Sequence, residues 1–126
     1  MLFPRFQRTF VGTHAHGLLL QQCLDPLPSG LGLRRVQWQA NSQNATSIRA
    51  AERMGYHFEG ILRWERTLAE GKSGIGPDDE AGKGLPMLDA NGKMLGIGRH
   101  SAMLSICWDD WVDAGVREKV LTLMSR

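Results

Sequence analysis

At 126 residues the chain is long enough for one hydrophobic core and too short for two domains. Its 15 Lys and Arg stand against 13 Asp and Glu, a formal charge of +2, which gives no electrostatic case for binding nucleic acid or an anionic membrane. With 42% hydrophobic and 22% charged residues the composition is that of an ordinary globular domain.

The N-terminal stretch contains Arg5, Arg8, His14 and His16 but no acidic residue before Asp25. Its longest apolar run, Leu18-Leu19-Leu20, is far below a membrane span or signal-peptide core, so the expectation is a cytoplasmic protein. Cys23 and Cys107 have no metal-ligand spacing and sit in apolar segments, the setting of free thiols in a reducing compartment.

A helix is predicted from Thr13 to Leu24, with Ala15, Leu18, Leu19 and Cys23 recurring at helical spacing. Asp25-Pro26 ends it, and Pro28 to Gly32 forms a loop. Residues 34–40 alternate, with Val36, Trp38 and Ala40 on one face and Arg35, Gln37 and Gln39 on the other, as in a half-buried strand. Asn44 is a suitable N-cap for a second helix, whose Ile48, Ala51 and Met54 lie on adjacent rows and whose Gly55 fits the left-handed position past the C-terminus.

Residues 61–68 read as a second strand. From 70 to 98 the chain is rich in Gly, Pro, Asp and Lys without periodicity, which predicts a flexible surface loop with a tight turn at Asp89-Ala90-Asn91-Gly92. Ser101 to Trp108 is the third strand, with Leu104, Ile106 and Trp108 on one face. Residues 109–126 are predicted as one C-terminal helix, capped by Asp109 or Asp110 and striped by Val112, Val116, Val120 and Leu123, with Lys119 and Arg126 toward its end to suit the dipole. The order gives an α/β fold: a mixed sheet of about three strands with flanking helices.

The run Asn44-Ala-Thr-Ser47-Ile48 through Gly55-Tyr56 to Glu59-Gly60, set between two strands, resembles the C-terminal half of a GNAT-type acyl-CoA N-acyltransferase. The branch it most resembles is that of the ribosomal-protein acetyltransferases. The resemblance covers about residues 7–69 and 99–111 and implies a partial GNAT domain over 1–126, with the family's N-terminal strands missing. It implies transfer of an acetyl group from acetyl-CoA to a primary amine of unknown identity. The alternative is a non-catalytic interaction module or inactive fragment on the same scaffold, docking through its exposed sheet edge or the Trp111-to-Met124 helix; an exposed edge also favours self-association of the chain.

The same resemblance assigns residues. Gln7, Arg8, Val11, Gly12 and Thr13 match the loop and helix start that hold the cofactor pyrophosphate, where a helix N-terminus favours anions. Phe10 stands where the family usually has glycine. Asn44 and Ser47 match positions along the pantetheine arm, and Ser47 is the candidate catalytic residue. Ala51 occupies the position of the usual Tyr acid, which leaves thiolate protonation to Ser47 or water. Glu59, Glu65 and His100 are candidate bases; His100 replaces the Asp of an Arg-Asp element at Arg99. His14 and His16 lie ~200° apart around a helix and do not share a metal.

Overall fold

The computed structural model describes residues 3–67, 88–93, 96 and 98–126. After a single helical turn at Pro4–Phe6 come helix α1 (Phe10–Leu24), strand β1 (Arg35–Asn41), helix α2 (Ala45–Arg53), strand β2 (His57–Thr67), strand β3 (Gly98–Cys107), and helices α3 (Trp108–Val112) and α4 (Val116–Met124). The strands form one antiparallel sheet in the order β1-β3-β2, so that among the described residues β3 is central and β1 and β2 flank it. The Ser42 amide donates to the His100 carbonyl (3.0 Å) and the Trp108 amide to that of Arg34 (2.9 Å), a register that sets Ala40 opposite Ala102 and Trp38 opposite Leu104. Most of the long loop expected over 70–98 lies outside the described residues.

The chain divides into two compact units. One comprises Met1–Gln37, Ala51–His57 and Ser105–Arg126. Its interior is built from Leu20, Leu24, Ala51, Met54, Tyr56, Ile106, Trp111, Val116 and Val120. Here α1 packs on α4 at Gly17, where a Cβ would overlap the Met124 thioether and come within 3.2 Å of a Val120 methyl. A bare glycine is what lets these helices approach. Gly55 follows α2 at φ 99°, the left-handed conformation expected from the sequence, and a Cβ there would lie 2.7 Å from a Val116 methyl.

In the same unit, the buried Asp25 carboxylate accepts hydrogen bonds from the Trp111 indole N–H (2.9 Å) and from Arg117 Nε (2.9 Å) and Nη2 (3.4 Å). The Arg117 guanidinium holds the Asp25 carboxyl below its ordinary value, against the opposing effect of burial. Asp25 is also the residue at which α1 ends.

The second unit comprises Trp38–Ala50 and Phe58–Leu104, with Ala40, Ala102, Leu104 and Ser101 buried. Its tight turn forms as the sequence predicts: the Gly92 amide bonds the Asp89 carbonyl (3.0 Å), while Asp89 Oδ1 accepts from the amides of Asn91 and Lys93. Gly92 has φ 78°.

Several boundaries and faces differ from the sequence reading. Helix α1 begins at Phe10, three residues before the expected Thr13, because Thr9 is its cap. Its buried positions are Gly17, Leu20 and Leu24; the expected Leu18 and Leu19 are 60% and 53% exposed. That helix is apolar almost all round, so periodicity could not choose a face, and the contact at Gly17 did. The single helix expected over 109–126 is two, separated at Asp113-Ala114-Gly115: Gly115 has φ 80° and the Asp113 and Ala114 amides both return to the Asp109 carbonyl. Strand β2 starts at His57, so Glu59-Gly60 lies within it. Trp108 opens α3 rather than ending β3, and is 51% exposed.

Candidate functional site

The N-terminus of α1 is the first candidate. Thr9 Oγ1 accepts from the Val11 amide (3.3 Å) while its hydroxyl donates to the Phe6 carbonyl (2.6 Å), tying the cap to the preceding turn. Val11, Gly12 and Thr13 therefore sit in the first helical turn and not in a loop before it. A helix geometry leaves the amides of Phe10 and Gly12 without an intrahelical acceptor, at the positive end of a 15-residue dipole. No acidic side chain lies in this turn. Arg8 adopts φ 60°, a left-handed conformation uncommon for a non-glycine residue, and Gln7 is extended.

More positive charge gathers here. Arg5 stacks on the Phe6 ring (4.6 Å), and Arg53 from the end of α2 reaches Thr13 Oγ1 (3.5 Å). Phe10 is 66% exposed, and its ring meets His14 edge-on at 5.3 Å, while the His14 Nδ1–H donates to the Phe10 carbonyl (2.9 Å). A helix N-terminus without acidic neighbours and with these guanidinium groups near it has the polarity that favours an anion.

Asn44 and Ser47 lie in the other unit. Asn44 Oδ1 accepts from the Ser47 amide (3.1 Å), which caps α2, and Ser47 Oγ accepts from the Trp38 indole N–H (3.0 Å). The Asn44 amide nitrogen and the Ser47 hydroxyl proton are left to donate elsewhere. Structure thus brings these two residues together and gives each a structural bond that leaves a donor over.

The candidate bases are constrained. Glu65 Oε2 accepts from Gln39 Nε2 (2.6 Å), Ser101 Oγ (2.8 Å) and Arg66 Nε (3.2 Å), linking all three strands across one face of the sheet. The Ser101 and Gln39 hydrogen bonds push its carboxyl below the usual range, the wrong direction for a base near neutral pH. His100 Nδ1 accepts from the Trp64 amide (2.9 Å), so the neutral ring carries its proton on Nε2 and has no free lone pair. Trp64 itself has φ 51°, and its ring lies against that of His100, centroids 4.2 Å apart and tilted by 52°. The strain in a bulky residue accompanies the bond that fixes the imidazole. Glu59 is exposed.

Ala51 is fully buried in the interior of its unit. Tyr56, the single tyrosine, is also buried and pairs with His16 Nε2 (2.9 Å). Burial raises the Tyr56 phenol well above its ordinary value and lowers the His16 imidazole, the direction that disfavours the charged form of each. Cys107, Asp109 and Asp110 place donor atoms within 4.8 Å of one another, but a capping box at the start of α3 accounts for that: the Cys107 amide donates to Asp110 Oδ2 (2.8 Å) and the Cys107 sulfur accepts from the Asp110 amide. Sequence reasoning missed the Gln39–Glu65–Ser101 and His16–Tyr56 groupings, because their members lie 26 to 40 residues apart and nothing local marks them.

No protein-family model matches the sequence, and no curated protein matches it. Solved structures do match. A GCN5-related N-acetyltransferase from Brucella melitensis is similar at TM-score 0.66 and 25% identity, over 96% of this chain and 40% of that one. A protein assigned as an acetyltransferase from T. thermophilus is similar at TM-score 0.63 and 26% identity, over 97% and 48%. A probable acetyltransferase of the GNAT family from Chromobacterium violaceum follows at TM-score 0.58 and 27% identity, over 86% and 39%. The fold is thus similar to that of GNAT acetyltransferases along nearly all of this chain, which spans less than half the length of those structures.

Proposed function

We propose that this chain is the acyl-CoA-binding part of a GNAT-type N-acyltransferase that moves an acetyl group from acetyl-CoA to a primary amine. The observation that carries the reading is its fold similarity to acetyltransferases over 96% of the chain. The residues at the α1 N-terminus suit the polyanionic end of the donor. Amides of Phe10 and Gly12, the helix dipole and the Arg8 guanidinium would hold the pyrophosphate, with Gln7, Val11 and Thr13 lining it. Asn44 and Ser47 would contact the pantetheine arm through the donors their structural bonds leave over.

Acetyl-CoA supplies a thioester carbonyl open to attack by an unprotonated amine. In this scheme Ser47 would relay to the departing thiolate the proton that the attacking nitrogen loses, so that its hydroxyl is restored; its oxygen already accepts from Trp38 and its O–H is left to turn outward. Glu65 and His100 do not serve as the base in this scheme, given their bonds; water or the acceptor's own equilibrium supplies the free amine. The correspondence to the C-terminal half of the family's domain and to its ribosomal-protein branch belongs to this proposal, as does the cytoplasm as its location. The amine acceptor is left open.

Isothermal titration with acetyl-CoA tests the reading. Saturable binding is expected, weakened about tenfold or more by Arg8→Ala through loss of a charge-assisted hydrogen bond. A folded chain that takes up no acetyl-CoA would instead favour the non-catalytic interaction module.

A further inference from the structure

Away from the α1 N-terminus, the first unit has an open cavity of about 490 Å³ lined by Leu24, Pro26, Gly32, Leu33, Arg34, Trp108 and Val112. Its volume lies in the range of small-ligand sites. The walls come from the end of α1, the loop that follows it, the residue preceding β1 and the first and last residues of α3. The Trp108 amide bonds the Arg34 carbonyl (2.9 Å), so one backbone hydrogen bond joins the only cationic residue of the lining to its only aromatic one.

Two features of the lining are unspent. Trp108 and Val112 are each 51% exposed, although both are large apolar residues on a short, well-capped helix. Among the described residues the Arg34 guanidinium makes no side-chain hydrogen bond or ion pair; the neighbouring acid Asp25 is already committed to Trp111 and Arg117. Five apolar or aromatic side chains with one uncommitted guanidinium complement a molecule with an apolar body and a single planar anionic end.

We propose that this cavity binds a small amphipathic carboxylate, with an aliphatic or aryl body against Leu24, Leu33, Trp108 and Val112 and its carboxylate on Arg34. A planar carboxylate matches the fork of a guanidinium, and the apolar walls disfavour a multiply charged phosphate ester. The site is separate from the residues assigned to acetyl-CoA, and its test does not depend on acetyl transfer.

The probes are octanoate and decanoate, titrated into the full chain and followed by tryptophan fluorescence and by amide chemical shifts of residues 24–34 and 108–112. Octylamine serves as the charge-reversed control, and all are kept below their micellar concentrations. Saturable binding is expected, tighter for decanoate, weakened about tenfold by Arg34→Gln and absent for octylamine. Arg34→Gln leaves the buried interior untouched, so its thermal transition serves as the folding control; Val112→Gln, on the exposed rim, should independently weaken decanoate. Three results would overturn the proposal: no saturable shift, equal binding of octylamine, or affinity unchanged in Arg34→Gln. A concentration-dependent dimer that buries the Trp108 signals without any ligand would overturn it too, by assigning the cavity to a second copy of the chain.

Discussion

Asp25→Ala should be the most destabilising of the conservative changes to polar residues, and its cost can be worked from the contacts it removes. The carboxylate is buried and accepts two bonds of 2.9 Å, from the Trp111 indole and from Arg117 Nε, with a third, weak one at 3.4 Å. Truncation leaves the Trp111 N–H unpaired in a fully buried residue, a desolvation cost of about 1–3 kcal/mol. The Arg117 side chain is 39% exposed, so water recovers most of its solvation and its share is below about 1 kcal/mol. The sum is about 1–4 kcal/mol. Asp25→Asn keeps an acceptor for the indole and loses only the charge, so it should cost about 1 kcal/mol, similar to Arg117→Ala.

Urea denaturation at pH 7 measures all three. The same group predicts a pH dependence. Its folded-state carboxyl lies below its unfolded value, so the stability it contributes is complete above the unfolded carboxylate range, near 4, and is lost as pH falls through the depressed folded value. Acid destabilisation should therefore be shallower in Asp25→Asn than in the parent. Equal costs for Asp25→Ala and Arg117→Ala would refute this, since the indole bond would then contribute nothing.

Other expectations follow from single contacts. Gly55→Ala should cost about 2–3 kcal/mol in a thermal or urea melt, because φ 99° strains any side chain and the new Cβ meets Val116. Gly17→Leu should lose about 1–3 kcal/mol by forcing α1 off α4, and a melt unchanged from the parent would mean that these helices do not depend on close approach. Ser101→Ala should move the Glu65 carboxyl back up toward its ordinary value, read by carboxyl-carbon NMR, since the Ser101 hydrogen bond is the largest cause of its depression. Long-range proton–nitrogen NMR should find neutral His100 as the Nε2–H tautomer; a proton on Nδ1 would contradict the Trp64 bond.

The local turns and caps were legible in the residues themselves. Asn44 caps α2, Gly55 takes the left-handed position after it, and Asp89 to Gly92 turns tightly, because in each a side chain or a missing Cβ acts within four residues of its own backbone. The alternation of Val36, Trp38 and Ala40 likewise marked a strand, and the Asn44-to-Gly60 run pointed to the GNAT fold that the solved structures resemble.

Gly115 could have been read the same way. Its small residue after Asp113-Ala114 is a helix-stop signal, but the valines on either side kept the helical stripe going across it, and periodicity outvoted the glycine.

Tertiary structure decided the rest. Which face of α1 is buried depended on Gly17 meeting Met124, more than 100 residues away, since the helix carries apolar side chains on every side. What the candidate bases bond to depended on partners from other strands: Gln39 and Ser101 for the Glu65 carboxylate, the Trp64 amide for Nδ1 of His100. Sequence determines which groups can titrate or donate within a turn of the chain. Burial and cross-strand hydrogen bonds set what those groups are able to do, and they exist only once distant segments have packed.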